Sequence, residues 1–95
     1  MPDPDPVAAA VIEDQIFQLL AARREGSTIC PSEVARALVP PGGLWRALMP
    51  QVRQVAQGLT RQHRLRATRG GVEVDPTSPG GPIRLGRTTA APDSP

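Results

Sequence analysis

Lysine and tyrosine are absent from this sequence, and cysteine, histidine, phenylalanine and tryptophan occur once each. Each shortage excludes something. A single cysteine, Cys30, makes no internal disulfide and supplies no cysteine-rich zinc site. With one Phe and one Trp, the core has to be built from aliphatic side chains and alanine. No run of about 18 apolar residues occurs, so no membrane span is expected. The opening Met1-Pro2-Asp3-Pro4-Asp5-Pro6 is acidic and lacks the basic and apolar regions of a secretory signal. A cytoplasmic, bacterial protein with no membrane partner is expected. No Ser/His/Asp set, carboxylate pair or phosphate-binding glycine loop is visible. We therefore expect no enzyme, no catalytic residue, no metal, no cofactor and no small-molecule substrate.

What the sequence does have is arginine, and its placement is uneven. Residues 1–35 hold two Arg against six acids, about −4, whereas residues 36–87 hold nine Arg against Glu73 and Asp75, about +7. The formal net charge of +2 conceals this asymmetry. A GC-rich coding sequence accounts for Arg in place of Lys but not for where the Arg residues fall. Guanidinium suits bidentate binding of phosphate or carboxylate.

A chain of 95 residues makes one domain at most. We expect a disordered leader over residues 1–6, a folded domain over 7–87 and a disordered tail over 88–95. Val7 to about Arg24 reads as a first helix. Its buried stripe is Val11, Ile12, Ile16, Leu19 and Leu20, with Phe17 at the edge and Gly26 as the stop. Ser27-Thr28-Ile29 is short and β-prone. Pro31 with Glu33 fits the start of a second helix, capped by Cys30 or by Ser32. Val34, Ala35 and Leu38 face the core, and Val39-Pro40-Pro41-Gly42-Gly43 ends that helix.

The helical turn Leu44–Met49 runs into Pro50. Proline inside a helix costs about 3 kcal/mol or more, so a break is expected near Met49. The third helix, about residues 50–62, places Val52, Val55, Ala56 and Leu59 on one face. Gly58 within it is a candidate for close approach of another element. Arg64 to Arg69 then alternates at period two up to Gly70-Gly71, the signature of a tight hairpin. A two-residue loop pairs Arg69 with Val72, Thr68 with Glu73, Ala67 with Val74 and Arg66 with Asp75. Leu65, Ala67, Val72 and Val74 then share the buried side. Pro76–Pro82 is a loop, and Ile83-Arg84-Leu85 returns as an edge strand. The fold class is mainly α with a small β-hairpin: a three-helix bundle on the winged helix-turn-helix plan.

Three strings carry a family resemblance. They are Thr28-Ile29-Cys30-Pro31-Ser32-Glu33-Val34-Ala35-Arg36-Ala37-Leu38, then Trp45-Arg46-Ala47-Leu48-Met49-Pro50 with Val52-Arg53, then Gly81-Pro82-Ile83-Arg84-Leu85. Over about residues 10–87 the sequence resembles a bacterial domain-of-unknown-function family, number 3253. The resemblance implies a winged-helix-like fold and no established activity. Some relatives carry a small Cys-rich domain, and this chain has no such cysteines. The family offers no catalytic or binding residues to carry over.

Function is left to the side chains. The third helix shows water Gln51, Arg53, Gln54, Gln57 and Arg61, with no acid among them. Arg pairs with guanine and Gln with adenine in a DNA major groove. Arg46, Arg53, Gln54, Gln57 and Arg61 are the candidate base and backbone contacts, with Arg36 on phosphate. Arg64, Arg66 and Arg69 are candidates for a phosphate-binding wing, and Arg84 and Arg87 for a supplement to it. A solvated helix face needs polar residues too, so a protein-interaction adaptor on the same fold is the alternative. Trp45 reads as a core anchor or a base-stacking ring, Cys30 as a small buried residue or a reactive thiol, and His63 as a helix-end or surface residue.

Overall fold

The computed structural model describes residues 9–88. The expected leader, residues 7 and 8, and the tail beyond Thr88 lie outside the described residues. Three helices come first: α1 (Ala9–Ala21), α2 (Pro31–Leu38) and α3 (Met49–Arg61). A 3-10 turn, Trp45–Leu48, leads directly into α3. Strands β1 (Arg66–Arg69), β2 (Val72–Glu73) and β3 (Arg84–Gly86) follow. The result is mainly α with a small antiparallel sheet, and it is compatible with the winged-helix plan.

One ridge of each helix faces a shared aliphatic core. In α1 the ridge is Ile12, Ile16 and Leu20, spaced by four. In α2 it is Val34 and Ala35, and in α3 Val52, Ala56 and Leu59. Ile29, Leu48, Leu65, Ala67, Ile83 and Leu85 close the core from the loops and sheet. Val11 differs from expectation: it lies 47% exposed. It is one residue, about 100° of helix, from Ile12, on a side of α1 that the rest of the described fold leaves open. Leu19, Leu38 and Val55 flank the core half-buried. Gly58 makes no close approach, since a side chain there would meet nothing within 4 Å.

The ends of the helices follow from local chemistry. Helix α1 stops at Ala21, earlier than the pattern suggested, so Arg23 and Arg24 fall beyond it and Gly26 turns the chain later, at φ +90°. Cys30 is the N-cap of α2, with Pro31 in the first turn. The Cys30 amide donates to the Glu33 carboxylate at 2.9 Å, the reciprocal arm of a capping box. Burial pushes the Glu33 carboxyl up, but the Cys30 amide and the Arg23 guanidinium outweigh it, and the net shift is downward. Helix α3 stops at Arg61 with Gln62 as its C-cap, and His63 follows with a φ of 60°, in the left-handed region. Its amide bonds to the Thr60 carbonyl, and the Arg64 amide to that of Leu59, which is a Schellman ending.

The sheet has the order β2-β1-β3, with β1 central. Thr68 pairs with Glu73 and Arg69 with Val72, as the Gly70-Gly71 turn requires, and both glycines have positive φ. The Val74 amide continues the ladder to the Ala67 carbonyl at 2.9 Å. The hairpin stops there, and Arg66 does not pair with Asp75: it pairs with Gly86 of β3. Val72 is 66% exposed, because β2 is two residues long and its tip overhangs the core. On the other edge Ile29 forms an isolated bridge to Leu85, with N–O distances of 2.8 and 2.7 Å. That bridge is what the β-prone stretch before α2 contributes.

Leu85 joins β1, Ile29 and the helix core, and is fully buried. Leu85→Ala is expected to lower unfolding free energy by about 2–5 kcal/mol in urea melts. Val11→Ala is expected to stay within about 0.5 kcal/mol of the parent. Equal losses would place Val11 in the core.

Candidate nucleic-acid interface

Helix α3 presents two faces for one reason: its buried residues recur every three or four positions, so the residues between them point outward. Pro50 sits in the first turn, where its missing amide breaks no helical hydrogen bond. The preceding 3-10 turn brings Arg46 beside that first turn. Arg46, Met49, Pro50, Arg53, Gln54 and Thr77 line one open groove of about 450 Å³. Among the described residues, no carboxylate lines it, and the nearest acid named beside it is Asp75, bonded to Thr77. The Nε of Arg53 is buried and has no hydrogen-bond partner among the described residues. A buried charged donor without an acceptor is costly, about 1–3 kcal/mol or more.

The lower half of the same face is occupied from within. Gln57 donates its side-chain amide to Asp75, at 3.0 and 2.8 Å to the two carboxylate oxygens, and to the Thr77 hydroxyl at 3.1 Å. Thr77 in turn donates its amide and its hydroxyl to Asp75, at 2.8 and 2.7 Å. These bonds hold the Asp75 carboxyl below its ordinary 3.8: the Thr77 hydroxyl contributes most, then the Thr77 amide, then Gln57, with the nearby positive charge of Arg61 adding to them. The loop between β2 and β3 is thereby stapled to α3. Its far end is stapled to β1, where Arg69 donates to the carbonyls of Gly81 at 3.1 Å and Ser78 at 3.3 Å. Gly80 permits this, because a Cβ there would stand 2.8 Å from the Arg69 guanidinium.

The guanidiniums therefore fall into two groups. Arg64 binds the Glu13 carboxylate at 2.7 Å and lies over the Phe17 ring. Arg66 binds Glu73 at 3.2 Å, and Arg23 binds Glu33. Arg84 donates to the hydroxyl and carbonyl of Thr28 at 2.9 and 3.1 Å. Among the described residues, Arg36, Arg46, Arg53 and Arg61 are in no ion pair with a carboxylate. So the structure brings Arg46, Arg53 and Gln54 together, sets Arg61 farther along the helix beside Asp75, ties Gln57 to the loop, and engages Arg64 and Arg66 elsewhere. Two further surface hollows are lined by carboxylates. One, between α3 and the hairpin, includes His63, Arg66 and Glu73; the other, between α1 and α3, includes Glu13, Gln51 and Gly58.

The family model described as "Protein of unknown function (DUF3253)" matches residues 9–88. The chain belongs to that family. Comparison with curated proteins gives no match. The DUF3253 match spans the whole described fold, so the groove, the loop that borders it and the hairpin all lie inside the family domain.

Two residues of this DUF3253 domain were missed by pattern reading: Asp75 and Thr77. Asp followed by a turn is an Asx-turn signal, and the Asp75–Thr77 bonds were legible from it. The partnership with Gln57 was not, because 18 residues separate it from Asp75. Trp45 is half-buried against the core, and the guanidinium carbons of Arg36 and Arg46 stand 4.5 and 4.6 Å from its ring centre. Cys30 is half-buried, and its sulfur accepts the Ser32 hydroxyl at 3.1 Å. His63 is exposed at the helix end.

Because the Asp75 carboxyl has a folded-state pKa below its ordinary one, its stabilising effect exists above that ordinary value and disappears as pH falls through the folded one. In thermal melts, the wild type is expected to melt above Asp75→Asn near pH 7. That gap should narrow progressively below about pH 4. A gap of constant size from neutral to strongly acidic pH would show that charge on Asp75 plays no part.

Proposed function

We propose that this chain is a non-catalytic cytoplasmic module that binds double-stranded DNA through the first half of α3. The observation that carries the reading is the groove in which Arg46, Arg53 and Gln54 converge with no carboxylate among its described lining residues. In helix-turn-helix docking the N-terminal residues of the recognition helix meet the base edges. Arg53 then faces guanine O6 and N7, and Gln54 faces adenine. The buried Nε of Arg53 leaves contact with a phosphate or a base to the terminal nitrogens of its guanidinium. Arg61 lies on backbone phosphate, and affinity is largely electrostatic.

Gln57 reads bases only after leaving Asp75 and Thr77, so it serves as a secondary contact. The wing is a weak one: its loop is the two glycines, and Glu73 already neutralises Arg66. Arg64 contributes only long-range charge, since Glu13 holds it.

A specific observation also favours the adaptor reading. The hairpin loop is only two glycines and Arg64 and Arg66 are held by Glu13 and Glu73, which suits a protein-interaction adaptor better than a phosphate-binding wing. In a pulldown, partners that survive nuclease treatment favour the adaptor.

The direct test is titration of a labelled duplex at low and moderate salt. Arg53→Ala is expected to cost about 1–3 kcal/mol, and Arg61→Ala to lower the salt slope by about 1. Asp75→Asn is expected to tighten binding by removing an anion from the face. Unchanged affinity in the Arg53→Ala/Arg61→Ala double variant would sink the proposal.

A further inference from the structure

Arg36 comes from the last turn of α2 and Arg46 from the 3-10 turn, yet both stand over one ring, that of Trp45. The two guanidinium carbons are therefore at most about 9 Å apart. Both arginines are exposed, and among the described residues neither is in an ion pair with a carboxylate. Two cations this close repel one another, and burial of Trp45 against the core does not require either of them. The ring holds each guanidinium beside it through cation–π attraction, about 0.5–1 kcal/mol at an exposed site. It leaves the N–H edges free, and those edges match the oxygens of a phosphate. Arg46 also lines the groove of Arg53 and Gln54, so the pair is continuous with the base-reading surface.

We infer that Arg36, Trp45 and Arg46 form a phosphate clamp for one DNA strand, distinct from the base-edge contacts of α3. Trp45 is the positioning residue: it touches no base and orients both guanidiniums. The clamp rests on the DNA-binding reading above and adds a site and a role to it. It gives the connection between α2 and α3, residues 39–48, a task that a short helix-turn-helix turn does not have. It also fixes the register of α3, because phosphate contacts position a protein on the duplex without reading its sequence.

The test uses the full chain and a labelled duplex of mixed sequence, with affinity measured across a salt series. Trp45 is the only Trp and there is no Tyr, so intrinsic fluorescence reports on this site alone. The wild type is expected to bind with a change in Trp45 emission. Arg36→Ala/Arg46→Ala is expected to lower the slope of log K against log salt by about 2 while retaining binding through Arg53. Trp45→Leu is expected to lower the slope with both arginines still present, and Trp45→Phe to restore most of it. A purely structural role for Trp45 would reduce thermal stability and leave the slope unchanged. A double variant with the wild-type slope overturns the clamp and leaves the DNA reading standing. Failure of the wild type to bind the duplex at low salt overturns both. Both arginines are exposed, so the double variant keeps the fold.

Discussion

Three narrow aliphatic ridges meeting in one core constrain everything else in this molecule. With so few aromatics, Ile12, Ile16, Leu20, Val34, Val52 and Leu59 have to supply the buried area. Each helix turns one apolar stripe inward and keeps its remaining surface outward. The sheet completes the enclosure through Leu85, Ile83, Leu65 and Ala67, and Ile29 ties its edge to the start of α2. Burial at this scale leaves a small domain a thin margin of stability. The polar residues are then free to be used as the surface requires.

What the surface does with arginine is divided by local supply of acceptors. Where the chain returns beside an acid, the guanidinium is taken up: Arg23 by Glu33, Arg64 by Glu13, Arg66 by Glu73. Where it returns beside backbone carbonyls, arginine works as a fastener, as Arg69 does for the β2–β3 loop and Arg84 for Thr28. Around the start of α3 neither is supplied. There the guanidiniums are organised by a ring and a groove wall. Exposed ion pairs contribute at most about 1 kcal/mol each, so the paired arginines add modestly to stability and mainly lose availability.

Asp75 stands between these two regimes. Its carboxylate is hydrogen-bonded to the polar face of α3 through Gln57, and it comes from a loop fastened at both ends. The same bonds that depress its pKa keep it charged through the neutral range. A fixed negative charge beside Arg61 and Gln57 makes that part of the α3 face less positive than the part near Arg46 and Arg53.

Local chemistry was legible in the residues themselves. The apolar spacing marks α1 and α3, Cys30-Pro31 with Glu33 marks the start of α2, Pro50 marks the break before α3, and Gly70-Gly71 sets the hairpin register. Each depends on residues within a few positions of one another, where sequence distance and spatial distance agree. Membership of the DUF3253 family was legible for the same reason, in short contiguous strings. Tertiary structure alone decided that Val11 and Val72 lie outside the core, that Arg66 faces Glu73 across the hairpin and not Asp75, and that Gln57 is held by a loop 18 residues away. It also decided which arginines have carboxylate partners. Ion pairs and groove walls form between residues far apart in the chain, and a charge read along the sequence carries no record of the acceptor that folding sets beside it.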